Sequence, residues 1–250
     1  MIFSPGTRTV IVPLLGTTLA MLVEEAQEAQ RAGADIIEWR VDMLFGEHPN
    51  FSFSQLGSEI IPQLVQATQI PLMLTIRTAS QGGAVKVSEG RYRLLLAEML
   101  DTLLQLRVPG DRIVVDIEYW HRAAPDLARR AQELGYTVVI SDHNWLSTPE
   151  ADILRIMYDD MLAIPGVVAK LAVTAHNSDD VDRLLDVTRE VTEETQRMVI
   201  AVAMSEQGRR SRFEGWNYGS VATFAACSRP SAPGQPHISE ILAVRDAPEA

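Results

Sequence analysis

Short runs of β-branched and apolar residues alternate with longer segments of helical periodicity along the whole chain, and no low-complexity stretch or compositional break interrupts them. The apolar runs predict eight strands, at 9–15, 35–43, 71–78, 112–119, 137–143, 167–174, 198–205 and 220–226. Amphipathic segments lie between them, among others at 18–32, 88–106 and 148–162. The last opens on Thr148 as N-cap, Pro149 as first-turn proline and Glu150 as first-turn acid. Strand plus helix repeated eight times in 250 residues is the arithmetic of an α/β fold of the (β/α)8 TIM-barrel type. The expectation is a single barrel domain over residues 1–250 with its active site at the C-terminal ends of the strands; a doubly wound open sheet is the alternative.

Because side chains alternate faces along a strand, parity predicts which residues point together. In the second predicted strand Ile36, Glu38, Arg40 and Asp42 share one face, and Ile37, Trp39 and Val41 share the other. Thr75 and Arg77 fall with Met73, Asp116 and Glu118 fall opposite Val115 and Ile117, and Ser141 and His143 fall with Val139. Lys170, in the middle of VVAKLAV, shares the parity of Val168 and Ala172. In a barrel the apolar parity faces the helix ring, so this polar stripe is expected to point inward toward the top. Buried ion pairs serving only packing or register are the competing reading. Ion pairs stabilise weakly after desolvation, however, and so many would be a costly way to fill a core.

Lys86 and Lys170 are the only lysines in the chain. A low-dielectric site pushes an ammonium toward the neutral amine, and a neutral amine is a nucleophile. Taken singly, Lys170 reads as a salt-bridge partner of Asp116 or Glu118, His143 as a satisfied strand-end histidine, and Arg212 in GRRSRFEG as a solvated charge. Their company is what turns them into a candidate site. His48, His121, His176 and His237 lie in loops or at element ends, with no carboxylate or cysteine at ligand spacing, and no metal role is expected of them.

Composition narrows the function classes. A net charge of −11 argues against nucleic acid or an anionic membrane as partner and favours a small-molecule substrate. Cys227 is the only cysteine, so no intramolecular disulfide can form and the cytoplasm is the default location. Residues 10–23 look superficially like a secretory core, but Pro13 and Gly16 interrupt them and they read as a strand running into a helix. No apolar run reaches the roughly 20 residues of a membrane span. Neither a GxGxxG or GxxxxGK fingerprint nor a zinc-type Cys/His spacing is present.

The stretches DIIEWRVDML, TIRTASQGG, VVDIEYW, VVISDHNWLSTP, VAKLAVTA, AMSEQGRRSR, GSVATFA and SAPGQ, in this order, resemble the type I 3-dehydroquinate dehydratases over nearly the whole chain. What the resemblance implies is a barrel that converts 3-dehydroquinate to 3-dehydroshikimate in the shikimate pathway, with no metal and no organic cofactor. Lys170 matches the imine-forming lysine and His143 the general acid/base. Glu38, Arg40 and Arg77 match substrate-binding positions, Arg212 the arginine that holds the substrate carboxylate, and Ser231 and Gln235 the closing loop. A homodimer is an assembly the sequence leaves open.

The chemistry asks for these residue types independently of the family. A protonated imine gives the electrons of a breaking C–H bond a cationic sink, which requires a lysine. A base titrating near neutrality both accepts and returns a proton, which selects histidine. A carboxylate is best fixed bidentately by a guanidinium. One position departs from the family. Gln81 stands where glutamate is common, and although an amide can orient a ring nitrogen, it supplies no negative charge for an imidazolium. On that reading Gln81→Glu raises the acidic limb of the pH profile. Two rivals share parts of the pattern: a class I aldolase, which forms the same imine but cleaves a carbon–carbon bond, and a catalytically silent barrel that binds a carboxylate.

Overall fold

The computed structural model describes residues 2–45 and 52–247; His48 lies outside them. Eight parallel strands form one sheet: β1 (Thr9–Leu14), β2 (Ile36–Arg40), β3 (Leu72–Thr75), β4 (Ile113–Glu118), β5 (Thr137–Asn144), β6 (Val168–Thr174), β7 (Val199–Met204) and β8 (Ala222–Phe224). From β1 to β7 each strand pairs with its neighbour in sequence, and β8 pairs with β1. The Val221 amide donates to the Val199 carbonyl at 2.9 Å, so β7 meets β8 and the sheet closes on itself. A doubly wound sheet reverses its strand order partway. This order does not reverse, and the fold is a (β/α)8 barrel.

The helices are α1 (Leu19–Arg31), α2 (Asp42–Phe45), α3 (Phe53–Ala67), α4 (Glu89–Leu106), α5 (Ala124–Glu133), α6 (Ala151–Leu162), α7 (Ser178–Thr195), α8 (Ser211–Glu214) and α9 (Ile238–Arg245). Their starts follow local chemistry. The Thr18 hydroxyl accepts from the Met21 amide, Ser88 from Arg91 and Asn177 from Asp180, while His237 and Glu240 form a reciprocal capping box at α9. At α6 the sequence expectation fails. The Thr148 hydroxyl donates instead to the Thr174 carbonyl at 3.0 Å, tying the loop to the end of β6, and the helix begins at Ala151 after Glu150.

The two parities of the strands build two separate cores. Ile37, Trp39, Leu74, Val115, Ile117, Ile140 and Leu171 face the helix ring. Ile11, Ile36, Met73, Val114, Val139, Val168 and Ile200 fill the barrel interior together with Phe3. Above this apolar floor the inward parity turns polar. Thr75 lies in register with Arg40 and Asp116, and Ser141 with Glu118 and Lys170, so the charged residues of successive strands form adjoining layers. Two predicted strands run past their ladders. β2 stops at Arg40 because Asp42 opens α2, and β3 stops at Thr75, beyond which the Thr78 amide and hydroxyl both donate to Glu118 at 2.8 Å.

Candidate functional site

Nine residues singled out from sequence (Glu38, Arg40, Arg77, Gln81, His143, Lys170, Arg212, Ser231 and Gln235) all line one cavity at the C-terminal end of the barrel. They come from the ends of β2, β3, β5 and β6, from α8 after β7, and from the segment after β8. Proximity follows from closure of the sheet, since sequence separations of up to 197 residues become neighbours around a ring.

Lys170 sits at the centre. Its side chain is buried, with Nζ 3.3 Å from His143 Nε2 and 4.4 Å from the centroid of the Phe224 ring. Burial lowers the amine from its usual 10.5 to about 8; the Asp116 and Glu38 carboxylates oppose that shift, while the Arg77 and Arg40 cations add to it. About a tenth of the amine is therefore neutral at pH 7, several hundredfold more than for an ordinary lysine. His143 is held well below its ordinary value, first by burial and then by the Arg77, Lys170 and Arg40 charges, so its resting form is the neutral imidazole.

Carboxylates and guanidinium groups below the pair form a rigid floor. Arg77 donates from Nη1 to Glu118 and to the Ser141 hydroxyl, both at 3.0 Å, and from Nη2 to Asp116 at 2.7 Å. Burial disfavours its charge, but Asp116 and Glu118 outweigh that and hold the guanidinium above its ordinary value. Arg40 pairs bidentately with Asp42 at 2.8 and 2.7 Å, and Asp42 also accepts from the Arg77 and Ala84 amides. Asp42 thus leaves the inward stripe that strand parity assigned it and anchors the loop after β3. Glu38 accepts from the Thr75 hydroxyl at 2.7 Å.

Arg212 is not a solvated charge. It is 2% exposed, donates to the Phe224 carbonyl at 3.2 Å, and keeps a buried Nε with no partner among the described residues. Burial, followed by the nearby Arg209, lowers it to about 10. An unpaired buried guanidinium in a cavity calls for an anion. Gln235 likewise keeps a buried Nε2 without a partner there, while its Oε1 accepts from the Ser231 amide at 2.6 Å and hydroxyl at 2.9 Å. The segment carrying both packs against the loop after β7, where the Ser205 amide donates to the Pro233 carbonyl at 3.2 Å.

Gln81 does not do what its position suggested. Its Oε1 accepts from the main-chain amide of His143 at 2.5 Å rather than from the ring, and its Nε2 donates to Asp142 Oδ1 at 2.9 Å. The carboxylate fixes which way the amide points, and the buried His143 Nδ1 has no partner among the described residues. Three participants were missed from sequence. Phe224 lies against Lys170, and strand parity in GSVATFA could have found it. Trp145 donates to the Gln81 carbonyl at 2.8 Å and covers Gly82, whose φ of 79° and lack of a Cβ allow the ring to sit there. Asp142 faces away from the cavity, where parity hides it. Of the histidines given no metal role, His121 lies 3.3 Å from Glu118 and stacks on Tyr92, His176 contacts the Leu146 carbonyl and His237 caps α9. No metal-holding cluster of His, Cys, Asp or Glu occurs among the described residues.

Comparison with known proteins adds an independent line. The family model described as type I 3-dehydroquinase matches residues 10–248. A 3-dehydroquinate dehydratase from Listeria monocytogenes serotype 4a (strain HCC23) is 32% identical over 246 residues, covering 98% of this chain and 94% of that one. The type I 3-dehydroquinate dehydratase of Clostridium difficile, solved with covalent modified comenic acid, superposes with a TM-score of 0.86 at 29% identity, over 98% of this chain and 93% of that one. The 3-dehydroquinate dehydratase of Geobacillus kaustophilus HTA426 superposes at 0.84 and 27% identity, over 96% and 90%.

Proposed function

The chain belongs to the type I 3-dehydroquinase family, and from that premise we propose that it dehydrates 3-dehydroquinate to 3-dehydroshikimate through an imine on Lys170. The observation that carries this reading is the Lys170 amine, lowered to about 8, at 3.3 Å from a neutral His143 in a cavity that Arg212 also lines, its Nε without a partner among the described residues. We assign the reaction to the shikimate pathway and to the cytoplasm, with residues 1–250 acting as one barrel domain.

Neutral Nζ adds to the ketone carbon, and loss of the ketone oxygen as water leaves a protonated imine. His143 takes the proton from the neighbouring carbon, and that electron pair flows toward the iminium nitrogen to give an enamine. The enamine electrons then expel the β-hydroxyl, which departs as water after His143 returns its proton. Hydrolysis of the conjugated imine releases the enone and restores the amine. The low basicity of His143 keeps it in the form that can accept a proton. Arg212 holds the substrate carboxylate, Glu38, Arg40 and Arg77 bind the polar edge of the ring, and Ser231 and Gln235 close over it, shedding water.

An absorbance assay for the enone tests the reading. Growth of the conjugated-enone band when the protein is mixed with 3-dehydroquinate is the expected result. A folded protein that yields no enone would overturn it.

A further inference from the structure

Asp142 lies on β5 next to His143 but on the opposite parity, 3% exposed, and its carboxylate takes no part in the chemistry above. Its Oδ1 accepts two hydrogen bonds, from Gln81 Nε2 at 2.9 Å and from the indole of Trp120 at 2.5 Å. Both donors have only N–H to offer, and a carboxylate offers only acceptors, so each group is matched. The far end of the Gln81 amide then has a single choice. Its oxygen must face the His143 amide, and it does so at 2.5 Å.

We propose that Asp142 is a positioning residue for the catalytic histidine: it sets the Gln81 amide, and through it the main chain of His143, and the two positions together admit one carboxylate and one amide. The inference rests on the dehydration reading for its catalytic consequence, but the coupling itself is a property of the fold. A glutamate at 81 would hold two carboxylate oxygens about 2.9 Å apart in a buried place. Like charges that close share a proton rather than both ionise, and the pair titrates above the ordinary carboxylate range. In the protonated state the arrangement survives, because the shared proton replaces the Gln81 N–H. When it leaves, at higher pH, the two side chains repel and the grip on His143 is lost.

Of the charged groups surrounding the pair, Arg77 favours the Asp142 carboxylate, but it is already committed to other carboxylates. Arg77 lies on the barrel side and is engaged by Asp116 and Glu118, Arg40 by Asp42, and Lys170 faces the His143 ring. From α6, Asp160 is turned to the Tyr119 hydroxyl. Burial already raises the Asp142 carboxyl, against the Gln81 and Trp120 hydrogen bonds, the Arg77 charge and the His143 main-chain amide. Exchanging the two groups relieves the repulsion. In Gln81→Glu with Asp142→Asn the pair again carries a single negative charge; the asparagine turns its amide nitrogen to the new glutamate, and the Trp120 indole, which shares Asp142 Oδ1 with Gln81 in the parent, moves to the asparagine oxygen.

The test is a cycle of Gln81→Glu, Asp142→Asn and the double variant, read by the pH profile of kcat for enone formation and by melting temperature at pH 5.5 and 8.5. Gln81→Glu alone is expected to lose tenfold or more in kcat at pH 8.5, with KM little changed. It should gain an alkaline limb that the wild-type protein lacks and melt lower at pH 8.5 than at pH 5.5. The double variant should recover most of that kcat, lose the new limb and regain its melting temperature at pH 8.5. A Gln81→Glu variant as active and stable as wild type at pH 8.5, or one to which Asp142→Asn brings no recovery, would overturn the coupling. A wild-type protein that makes no enone would instead count against the dehydration reading, and the melting temperatures would still decide the coupling.

Discussion

Arg212 is a buried guanidinium at the cavity whose Nε has no partner among the described residues. Arg212→Ala is expected to raise KM strongly and lower kcat less, the loss of binding amounting to about 2–5 kcal/mol, as for one partner of a buried charge pair. An unchanged KM would remove it from the carboxylate site. Glu38 acts on Lys170 at a distance. Its charge raises the amine's pKa, so Glu38→Gln, which keeps an oxygen for the Thr75 hydroxyl, should lower that pKa further. The neutral amine then persists to lower pH, and the acidic limb of kcat/KM, expected near pH 8 in the parent, should move down. A limb that stays put would mean that another group sets it.

At the scale of elements, strand parity was the most legible feature of the sequence. A period of two sorts Lys170, His143, Glu38 and Asp116 onto the inner face, because a strand buried on both sides leaves polar residues only one productive direction. Element ends were less legible. Thr148 has the side chain of an N-cap, yet its hydroxyl serves the end of β6, a contact between segments 26 residues apart that local pattern does not encode. The orientation of the Gln81 amide depends in the same way on Asp142, 61 residues away and facing outward. The segment after β8 shows a third such dependence. A Cβ on Gly234, whose φ is 73°, would lie 1.9 Å from the Ser205 carbonyl oxygen, so only glycine lets this segment seat against the loop after β7. Gly234→Ala is expected to lift Ser231 and Gln235 from the cavity and cut kcat/KM tenfold or more while shifting the melting temperature by only a few degrees. Steady-state kinetics with a thermal melt checks this, and unchanged kinetics would mean that the segment seats in some other way.

For the whole molecule, the barrel stores an unfavourable group where it is useful. Lys170 titrates near 8 when folded and at 10.5 by its ordinary value, so below pH 8 both states are protonated and the full cost of burying the ammonium is present. At about 1.4 kcal/mol for each tenfold change, that cost is on the order of 3 kcal/mol. As pH rises from 8 toward 10.5 the folded protein sheds the proton first, and stability grows. Lys170→Met should therefore be more stable than the parent at pH 7 by about 1–4 kcal/mol, with the gap closing by pH 10 in urea melts. A variant less stable at pH 7 would mean that the ammonium holds the core together. The most direct measurement of the imine is borohydride reduction of the protein with 3-dehydroquinate, followed by intact-mass and peptide-mass analysis. With only Lys170 and Lys86 in the chain, the location of the adduct is unambiguous. The expected result is a single covalent adduct confined to Lys170 and absent from Lys170→Met. An adduct on Lys86, or full dehydratase turnover with no trapped species and an active Lys170→Met, would contradict the imine mechanism.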